Sequence, residues 1–406
     1  MKILQVNSVY KKGSTGKITY DLHKGLLERG EESVVCYGRG EHYREPHVYK
    51  VCGEFYSKVN NFWSRITGLM YGGLFLSTKR LISIIKKEKP DIVHIQCING
   101  YFVNIYRLIE WLKLNHIKTV LTLHAEFMYT ANCGHALECE GWKTGCGHCP
   151  RLRQETKSLF FDRTAESWKR MKRAFDGFDN DLIVVSVSPW LKERAEQSPI
   201  LQRKRHYVIL NGLDTNIFHP YDTGDLKKKH GLKNEKVIFH ATPDFNDNPD
   251  HIKGGYYIIK LAEMMKGENV KFIVAGKYRE GLNVPDNVIL LGQVKDQTTL
   301  AKYYSMADVT VLTSKKETFS MVTAESLCCG TPVIGFKAGA PEQIAIPEYS
   351  KFVDYGKLND LRYAIKSELK DNSKVDVIMA SEMYSSETMC CNYINVYNLL
   401  YKRSVR

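Results

Sequence analysis

The chain has 406 residues, of which 43% are hydrophobic and 25% are charged. This length gives room for two or three domains, and this composition excludes a disordered or fibrous protein. The longest run without a charged residue spans only 92–106, and Met1-Lys2 leads into a predicted strand rather than a signal peptide. We therefore expect a cytoplasmic protein that does not span a membrane.

The positive charge is concentrated in the N-terminal half. Residues 1–206 hold 33 Lys and Arg against 21 Asp and Glu, whereas the whole chain holds 58 against 45. A basic surface of this kind attracts an anionic membrane, a nucleic acid or a polyanionic substrate, and charge alone does not distinguish among them.

The first predicted elements are those of a Rossmann-like domain. The pattern predicts a strand over 2–6, a loop containing Gly13 and Gly16, a helix ending near Gly30 and a strand over 32–37. The glycines do not match the dinucleotide fingerprint. A plain tight turn explains them nearly as well as a role in ligand binding does.

Residues 55–87 combine basic and aromatic side chains without a single acidic residue. The cations are Lys58, Arg65, Lys79, Arg80, Lys86 and Lys87, and the aromatic residues among them are Phe55, Tyr56, Phe62, Trp63, Tyr71 and Phe75. A helical stretch of this composition is typical of an anchor on an anionic membrane surface. A helix that packs on the core and exposes a basic face is the alternative.

Two further strands, over 90–96 and 119–123, end in polar residues. Asn99 and Tyr101 follow the first of these strands, and His124 follows the second. Doubly wound sheets bind ligands beyond the carboxyl ends of their strands, so we expect His124 to lie at such a site. A histidine that caps a helix is the alternative.

Four cysteines follow within 17 residues: Cys133, Cys139, Cys146 and Cys149. Four thiolates that include a Cys-x-x-Cys pair can form a structural zinc site, although the first pair is more widely spaced than in a zinc ribbon. Free or paired thiols are the alternative. A saturated four-cysteine site leaves no open position for chemistry, so any zinc would be structural and not catalytic.

The second half also alternates strands and helices, with strands predicted over 236–240, 270–275, 287–291 and 309–312. This alternation predicts a second parallel sheet. The polar loop after the first of these strands contains Lys253-Gly254, and Lys277 follows the second strand.

The strand over 309–312 leads into a loop with Glu317 and then a helix that contains Glu325. Backbone N–H groups at the start of this helix, near Ser320, Met321 and Val322, attract phosphate. A phosphate site between two carboxylates suits a nucleotide-sugar, which carries hydroxyl groups on both sides of its diphosphate.

The segment Lys315–Ile344 resembles the retaining, nucleotide-sugar-dependent glycosyltransferases of group 1, family 4. The resemblance rests on the Glu317/Glu325 spacing, the FSMV and GTPVIG runs and the later Gly339-Ala340-Pro341-Glu342. It implies the α/β fold called GT-B, with two facing Rossmann-like domains, a cleft between them and a last helix that crosses back. The block over 122–150 resembles members from bacterial exopolysaccharide and capsule clusters.

The resemblance also implies roles for single residues. Glu317 and His124 would contact the donor sugar, Ser320, Met321 and Val322 would meet the diphosphate, and Glu325 would hold the ribose. Lys253 matches the diphosphate lysine of the family. The arginine that many family members carry upstream is missing from 241–245. Lys277 is our candidate for the second cationic contact with the diphosphate. Gly16 would lie near the donor phosphates, and Gly13, Asn99, Tyr101 and His124 on the acceptor side.

The resemblance implies an N-terminal acceptor domain over 1–216 with a cysteine-rich insert at 124–150. It implies a donor domain over 217–386 and a helix over 387–406 that packs back on the first domain. The implied reaction moves a sugar from a UDP- or GDP-sugar to a glycan or polyprenyl-diphosphate-linked acceptor, at the inner face of the plasma membrane. No catalytic cofactor is expected, since no Asp-x-Asp motif follows a predicted strand.

Two other functions are compatible with parts of the sequence. A sugar-nucleotide epimerase or hydrolase of the same fold would keep the donor site, but the cysteine block and the basic first half disfavour it. A zinc-stabilised nucleic-acid-binding protein would use the basic half, but it leaves the Glu317/Glu325 block unexplained. We therefore expect no nucleic-acid partner.

Overall fold

The structure is a computed structural model that describes residues 1–371 and 375–402. The chain forms two compact units, one made of Met1–Gly212 and the segment that begins at Ser386, the other of Leu213–Ser385. The sequence predicts a boundary between residues 216 and 217, whereas the structure divides the chain between Gly212 and Leu213.

The first unit alternates strands and helices. Up to Gly212 its elements are β1 (Lys2–Asn7), α1 (Gly13–Glu28), β2 (Glu32–Tyr37), β3 (Val48–Lys50), α2 (Glu54–Thr67), α3 (Leu76–Glu88), β4 (Ile92–Ile95), α4 (Ile105–Leu114), β5 (Thr119–Leu123), α5 (Phe127–Thr130), α6 (Leu152–Glu155), α7 (Thr164–Phe175), β6 (Leu182–Ser186), α8 (Pro189–Glu196) and β7 (Arg205–Val208).

The strands of the first unit form one parallel sheet in the order β3-β2-β1-β4-β5-β6-β7. Its central strands are almost entirely buried because helices cover both faces of a parallel sheet, although they include polar residues such as Gln5, His94 and Thr122. The strand order reverses between β1 and β4, so loops that leave the carboxyl ends of these two strands diverge and leave a crevice there.

The second unit repeats this plan. Its elements are α9 (Gly224–Lys229), β8 (Lys236–Asp244), α10 (Gly255–Met264), β9 (Val270–Lys277), β10 (Val288–Gly292), α11 (Gln297–Met306), β11 (Val309–Leu312), α12 (Met321–Cys328), β12 (Val333–Phe336), α13 (Pro341–Ile344), β13 (Ser350–Val353), α14 (Leu358–Asp371) and α15 (Val377–Tyr384). The parallel sheet has the order β10-β9-β8-β11-β12-β13, which reverses between β8 and β11.

The last described helix, α16 (Ser386–Tyr401), belongs to the first unit. Its apolar face carries Met389, Tyr393 and Tyr397, all buried in the core that also contains residues of β1, β4, β5 and β6. Two polar contacts fix it on the sheet. The Tyr397 hydroxyl lies 2.7 Å from His94 Nδ1, and the Tyr393 hydroxyl lies 2.9 Å from Thr122 Oγ1.

The basic aromatic stretch 55–87 is not one helix but two, because α2 ends at Gly68 in the left-handed conformation before α3 begins. Of its aromatic residues, Tyr71 is buried, whereas Phe55, Phe62 and Trp63 are more than half exposed. Among the described residues, no helix is long and apolar enough to cross a bilayer.

Candidate active site

The strand order places two predicted residues together in the second unit. Lys253 lies in the loop after β8 and Glu317 in the loop after β11, and these strands are neighbours at the point where the order reverses. Lys253 Nζ lies 2.6 Å from Glu317 Oε1. Both side chains are partly exposed, at 27% and 17%. A cation and a carboxylate are therefore presented to solvent at the edge where doubly wound sheets bind ligands.

Glycine is required beside the cation. Gly254 has a φ of +66°, and a Cβ there would collide with the Thr313 carbonyl. The Thr313 hydroxyl in turn donates a hydrogen bond to the Gly254 carbonyl at 2.9 Å. This close approach of the two loops brings Lys253 to the end of β11.

Glu317 is held by the segment that follows β12. Its N–H donates to the Ala338 carbonyl at 2.9 Å, and its carbonyl accepts from the Ala340 N–H at 3.3 Å. The Glu342 carboxylate accepts hydrogen bonds from the N–H groups of Ala338 and Gly339. Glu342, to which the sequence pattern assigns no role, thus stabilises the turn against which Glu317 is fixed.

The backbone before α12 adopts a strained conformation at Ser320. Its φ is +100°, which non-glycine residues seldom adopt, and such strain is concentrated at functional sites. The Ser320 hydroxyl accepts a hydrogen bond from the Thr323 N–H at 3.3 Å and so caps the helix. Ser320 connects Glu317-Thr318-Phe319 to the first turn of α12, which begins with Met321 and Val322.

A cavity of about 350 Å³ lies next to this helix. Its lining includes three predicted residues, Lys277, Val322 and Glu325, and it is completed by Ala241, Thr242, Pro243, Ala275, Gly276, Gln293, Val294, Leu300 and Tyr304. Ligand pockets of proteins are of this volume or larger. The structure therefore brings Lys277 and Glu325 to one cavity, and Lys253 and Glu317 to one contact.

Tyr304 is a residue of this cavity that the sequence analysis missed. Its hydroxyl donates a hydrogen bond to Glu325 Oε2 at 2.9 Å. Burial, followed by the nearby Glu325 charge, raises the pKa of Tyr304 well above its ordinary value, so the hydroxyl keeps its proton and remains a donor. Gln293 and Val294 were also missed, although their position just after a predicted strand was a usable signal.

In the first unit His124 lies at the carboxyl end of β5, as the strand pattern predicts. It is 9% exposed, and its Nε2 lies 2.7 Å from Gln96 Oε1. Burial lowers the pKa of His124 to about 4, so the ring is neutral at pH 7. Gln96 itself was missed; it donates from Nε2 to Gln5 Oε1 at 3.1 Å and so links β1, β4 and the histidine.

The other predicted residues of the first unit lie on loops at the same sheet edge. The Gly100 N–H donates to the Ser8 hydroxyl at 3.1 Å, which joins the loop of Asn99 and Tyr101 to the end of β1. Tyr101 has a φ of +57° and stacks on Tyr71 with 5.6 Å between ring centroids.

Gly13 and Gly16 lie in the first turn of α1 and not, as predicted, in a loop before the helix. The Lys11 N–H donates to the Gly16 carbonyl at 3.0 Å, and Gly13 has a φ of +65°. A Cβ at Gly16 would lie 3.1 Å from a Val9 methyl group. These contacts fit the tight-turn alternative, and a binding role for Gly13 and Gly16 stays a prediction.

The four clustered cysteines line one small cavity of about 30 Å³, together with Trp142 and Asn132. All four are free thiols. Within residues 1–371 and 375–402, no group of three or more His, Cys, Asp or Glu side chains is arranged to hold a metal ion. This geometry gives the zinc interpretation no support, and a zinc site at the four cysteines stays a prediction.

A buried ion pair attaches the cysteine segment to the end of β5. Glu126 is fully buried; its Oε1 accepts from Arg194 Nε at 2.7 Å and its Oε2 from the Ala136 N–H at 2.7 Å. The Arg194 guanidinium also lies over the rings of Trp142 and Trp190, about 5 Å from each centroid. The pair is not predictable from sequence spacing, because its partners are 68 residues apart.

Comparison with known families identifies the chain. The model of glycosyltransferase family 4 matches residues 15–217, half of the chain, and the model of glycosyl transferases group 1 matches residues 224–381. The chain belongs to glycosyltransferase family 4. The resemblance predicted from Lys315–Ile344 is thus confirmed, and so is the GT-B fold with its two Rossmann-like domains.

This glycosyltransferase has relatives that match most or nearly all of its length. It is 23% identical to a candidate colanic acid biosynthesis glycosyl transferase, WcaC, of Escherichia coli, with 98% of this chain and all of the relative covered. It is 24% identical to an N-acetyl-alpha-D-glucosaminyl L-malate synthase of Bacillus anthracis, with 85% of this chain and 80% of that one covered.

Solved structures with the same fold include HepE of Anabaena in complex with UDP. The TM-score is 0.66 at 16% identity, with 98% of this glycosyltransferase and all of HepE covered. A sucrose-phosphate synthase of Thermosynechococcus elongatus gives a TM-score of 0.68 at 16% identity over 99% of this chain and all of that one. At this identity the similarity shows the fold alone.

Proposed function

We propose that this glycosyltransferase moves a sugar from a UDP- or GDP-sugar to an acceptor hydroxyl with retention of the anomeric configuration. The observation that carries the proposal is the 2.6 Å contact between Lys253 and Glu317 at the reversal of the second sheet. A cation for the diphosphate and a carboxylate for the sugar hydroxyls lie side by side there. The cavity that contains Lys277 and Glu325 would take the nucleoside part.

Lys253 and Lys277 would neutralise the diphosphate leaving group, which gains the most negative charge in the transition state. Lys277 is the last residue of β9, and Lys253 lies in the loop that follows the adjacent strand β8. Before the donor binds, Glu317 holds the Lys253 ammonium. The donor phosphates would compete for this ammonium and release Glu317 toward the sugar hydroxyls. We infer that this chemistry needs no divalent cation.

Glu325 would accept hydrogen bonds from the ribose hydroxyls, with Tyr304 fixing the orientation of its carboxylate. The N–H groups at the start of α12 would bind phosphate oxygens, an arrangement that helix N-termini favour. We assign no protein nucleophile; attack from the face of the leaving phosphate accounts for retention. His124, neutral at pH 7, would bind a sugar hydroxyl and not carry charge.

The acceptor is proposed from two observations. WcaC, a relative over its full length, is named for colanic acid biosynthesis, and the first unit carries nearly all of the excess positive charge. We propose a glycan on a polyprenyl diphosphate as the acceptor, in the synthesis of a surface polysaccharide. The enzyme would then work in the cytoplasm at the inner face of the plasma membrane. Gly13, Asn99 and Tyr101 are our candidates for the acceptor side.

A panel of donors tests the proposal. UDP- and GDP-sugars are incubated with and without a polyprenyl-diphosphate-linked glycan, and transfer is read as a mass increase of one sugar, with the anomeric configuration assigned by NMR. Transfer with retention supports the proposal. Epimerisation without transfer would assign the chain to the same-fold alternative, and an inverted product would reject retention.

A structural zinc at Cys133, Cys139, Cys146 and Cys149 stays a prediction from the sequence. Purified protein with about one equivalent of zinc, and a melting temperature that falls on chelation, would support it. Metal-free protein of unchanged stability would support free thiols.

A further inference from the structure

The first unit exposes an apolar surface that the candidate active site does not use. Within α2, Phe62 is 58% exposed and Trp63 is 53% exposed. Both lie in the last two turns of a helix whose buried face carries small polar residues, Ser57, Asn60 and Ser64. The large apolar side chains of α2 therefore point away from the core, which reverses the usual arrangement of a surface helix.

A second segment joins this helix at its C-terminal end. The Leu159 N–H donates to the Arg65 carbonyl at 2.8 Å, and Arg65 Nε donates to the Lys157 carbonyl at 3.4 Å. Gly68 lies so close to the Phe161 carbonyl that a Cβ would collide with it. These contacts fix the loop over 157–163 against α2.

The fixed loop exposes three consecutive large apolar residues. Leu159 is 43% exposed, Phe160 69% and Phe161 53%. The Ser158 hydroxyl donates to the Phe161 carbonyl at 2.7 Å, so the backbone folds back on itself and the side chains face outward. We call Phe62, Trp63, Leu159, Phe160 and Phe161 the aromatic surface. Contiguous apolar exposure of this kind marks an interaction site.

The charges around the aromatic surface identify its partner. Four cations lie on the same two segments: Lys58, Arg65, Lys157 and Arg163. The two carboxylates of these segments, Glu54 and Asp162, already accept hydrogen bonds from backbone N–H groups. Glu54 accepts from the Gly40 N–H at 2.6 Å, and Asp162 accepts from the N–H groups of Cys149 and Thr164. Exposed cations beside exposed aromatic side chains complement the headgroups and acyl boundary of an anionic bilayer.

We propose that the aromatic surface inserts into the interface of an anionic bilayer, with Leu159–Phe161 as the second inserting element beside α2. The inference rests on the proposed function, because a polyprenyl-linked acceptor is available only at a membrane. It adds a segment, residues 157–163, that lies outside the basic stretch 55–87.

The test measures binding of the full chain to phosphatidylcholine vesicles with and without phosphatidylglycerol. Trp63 is the reporter, since it is the most exposed tryptophan among the described residues and its emission should shift to shorter wavelength on insertion. The double variant Phe160→Ser, Phe161→Ser should bind anionic vesicles at least about tenfold more weakly, because it lacks two phenyl rings that would be buried in the bilayer interface. The pair Tyr363→Ser, Ile378→Ser, which changes side chains of 73% and 74% exposure in the second unit, is the matched control.

Unchanged binding of the Phe160/Phe161 variant would overturn the proposal. So would a concentration-dependent dimer of the native chain that this variant abolishes, since the surface would then be an interface between two copies. Hydrolysis of the donor in solution is measured in parallel. Loss of vesicle binding in the Phe160/Phe161 variant, with normal donor hydrolysis, supports the insertion. Absence of both hydrolysis and transfer in the native protein would reject the proposed function. The vesicle result would still decide whether the aromatic surface inserts into a bilayer.

Discussion

At the residue scale, the contact between Lys253 and Glu317 limits what either side chain can do alone. The two charged groups form an ion pair, with 2.6 Å between Lys253 Nζ and Glu317 Oε1. A donor diphosphate would therefore have to bind the Lys253 ammonium more strongly than the Glu317 carboxylate does. This competition makes the two residues an energetic pair, and their single substitutions should not be additive.

We predict that Glu317→Gln mainly lowers kcat, because the sugar hydroxyls lose a charged acceptor in the transition state. Losing a hydrogen bond to a charged group costs about 1.5–3 kcal/mol, or roughly 10- to 150-fold in rate. Lys253→Met should lower turnover as well, and the double variant should lose less than the product of the two. Donor kinetics of the three variants check this. Full additivity would indicate that the two residues act separately.

We predict that Glu325→Gln weakens donor binding more than it lowers turnover, since the ribose does not change charge during transfer. The expected loss in donor affinity is again roughly 10- to 150-fold. Calorimetric titration with UDP and GDP measures it. Glu263→Gln, at an exposed position on α10, is the control. Native affinity in Glu325→Gln would remove the ribose assignment.

His124 makes stability depend on pH. Burial lowers its pKa from 6.5 to about 4, whereas the unfolded chain titrates near 6.5. The unfolded state therefore binds more protons between these values, and stability falls as the pH falls from 6.5 toward 4. His94, with a pKa lowered by burial to about 3, acts in the same direction.

We predict that His124→Gln removes part of this pH dependence. When the pH falls from 7 to 5, protonation of His124 in the unfolded state should lower the unfolding free energy of the native protein by about 1–2 kcal/mol. The His124→Gln variant should not show this loss. Thermal unfolding of both proteins at the two pH values measures the difference. An equal decrease in the two proteins would place the pH dependence on other groups.

At the element scale, the helix α3 tests whether charge holds the protein on a membrane. Lys79, Arg80, Lys86 and Lys87 are all exposed on it. We predict that reversing all four to Glu abolishes binding to anionic vesicles, since each cation near such a surface contributes about 1 kcal/mol. The native protein should also dissociate near 0.5 M salt, where the screening length falls to roughly 4 Å.

Reversal of four exposed lysines in the second unit, Lys227, Lys228, Lys229 and Lys233, is the matched control for α3. It changes the net charge equally. If both quadruple variants lose binding to the same degree, total charge and not α3 is responsible. Binding of native protein to neutral vesicles as strong as to anionic ones would also contradict the prediction.

The Glu126–Arg194 pair should decide the stability of the cysteine segment. We predict that Glu126→Gln costs about 3–5 kcal/mol, because it leaves a largely buried guanidinium without its counter-charge. Thermal unfolding and limited proteolysis within residues 134–150 measure the effect. Glu140→Gln, at a carboxylate 53% exposed and 4.0 Å from the same guanidinium, should cost far less.

The sequence predicts the elements that carry a regular pattern and misses contacts that the fold alone creates. The strand before Glu317 is observed where it is predicted, over Val309–Leu312, because a continuous apolar run between polar loops has few other interpretations. Glu317 and Glu325 were singled out by their spacing across a loop and the helix that follows it, whereas Lys253 and Lys277 were singled out by the family resemblance; the roles of all four stay predictions.

Tyr304, Gln96 and Arg194 were missed for a different reason. Tyr304 and Arg194 lie inside helices and Gln96 directly follows β4, with nothing in their neighbours to mark them. Each becomes relevant only through a partner elsewhere in the chain. Tyr304 meets Glu325 only when α11 packs beside α12, and Gln96 meets His124 only when β4 pairs with β5. Apolar spacing specifies the strands but not which polar side chains they bring together.

At the scale of the whole molecule, the two units differ in charge and in continuity. The excess positive charge lies in the half of the sequence that forms most of the first unit, which also carries the aromatic surface. The second unit is one continuous segment, whereas the first is completed only by α16. The core of the first unit includes Met389, Tyr393, Val396 and Leu400 of that helix.

This discontinuity determines the order in which the protein can mature on the ribosome. The first sheet emerges early, but the helix that covers one of its faces is translated only after the whole of Leu213–Ser385. At 5–20 residues per second, translation of that segment takes roughly 10–35 s. During this interval the nascent first unit exposes apolar strands to which chaperones can bind. The second unit is one continuous segment, so all of its residues are available for folding before α16 is synthesised.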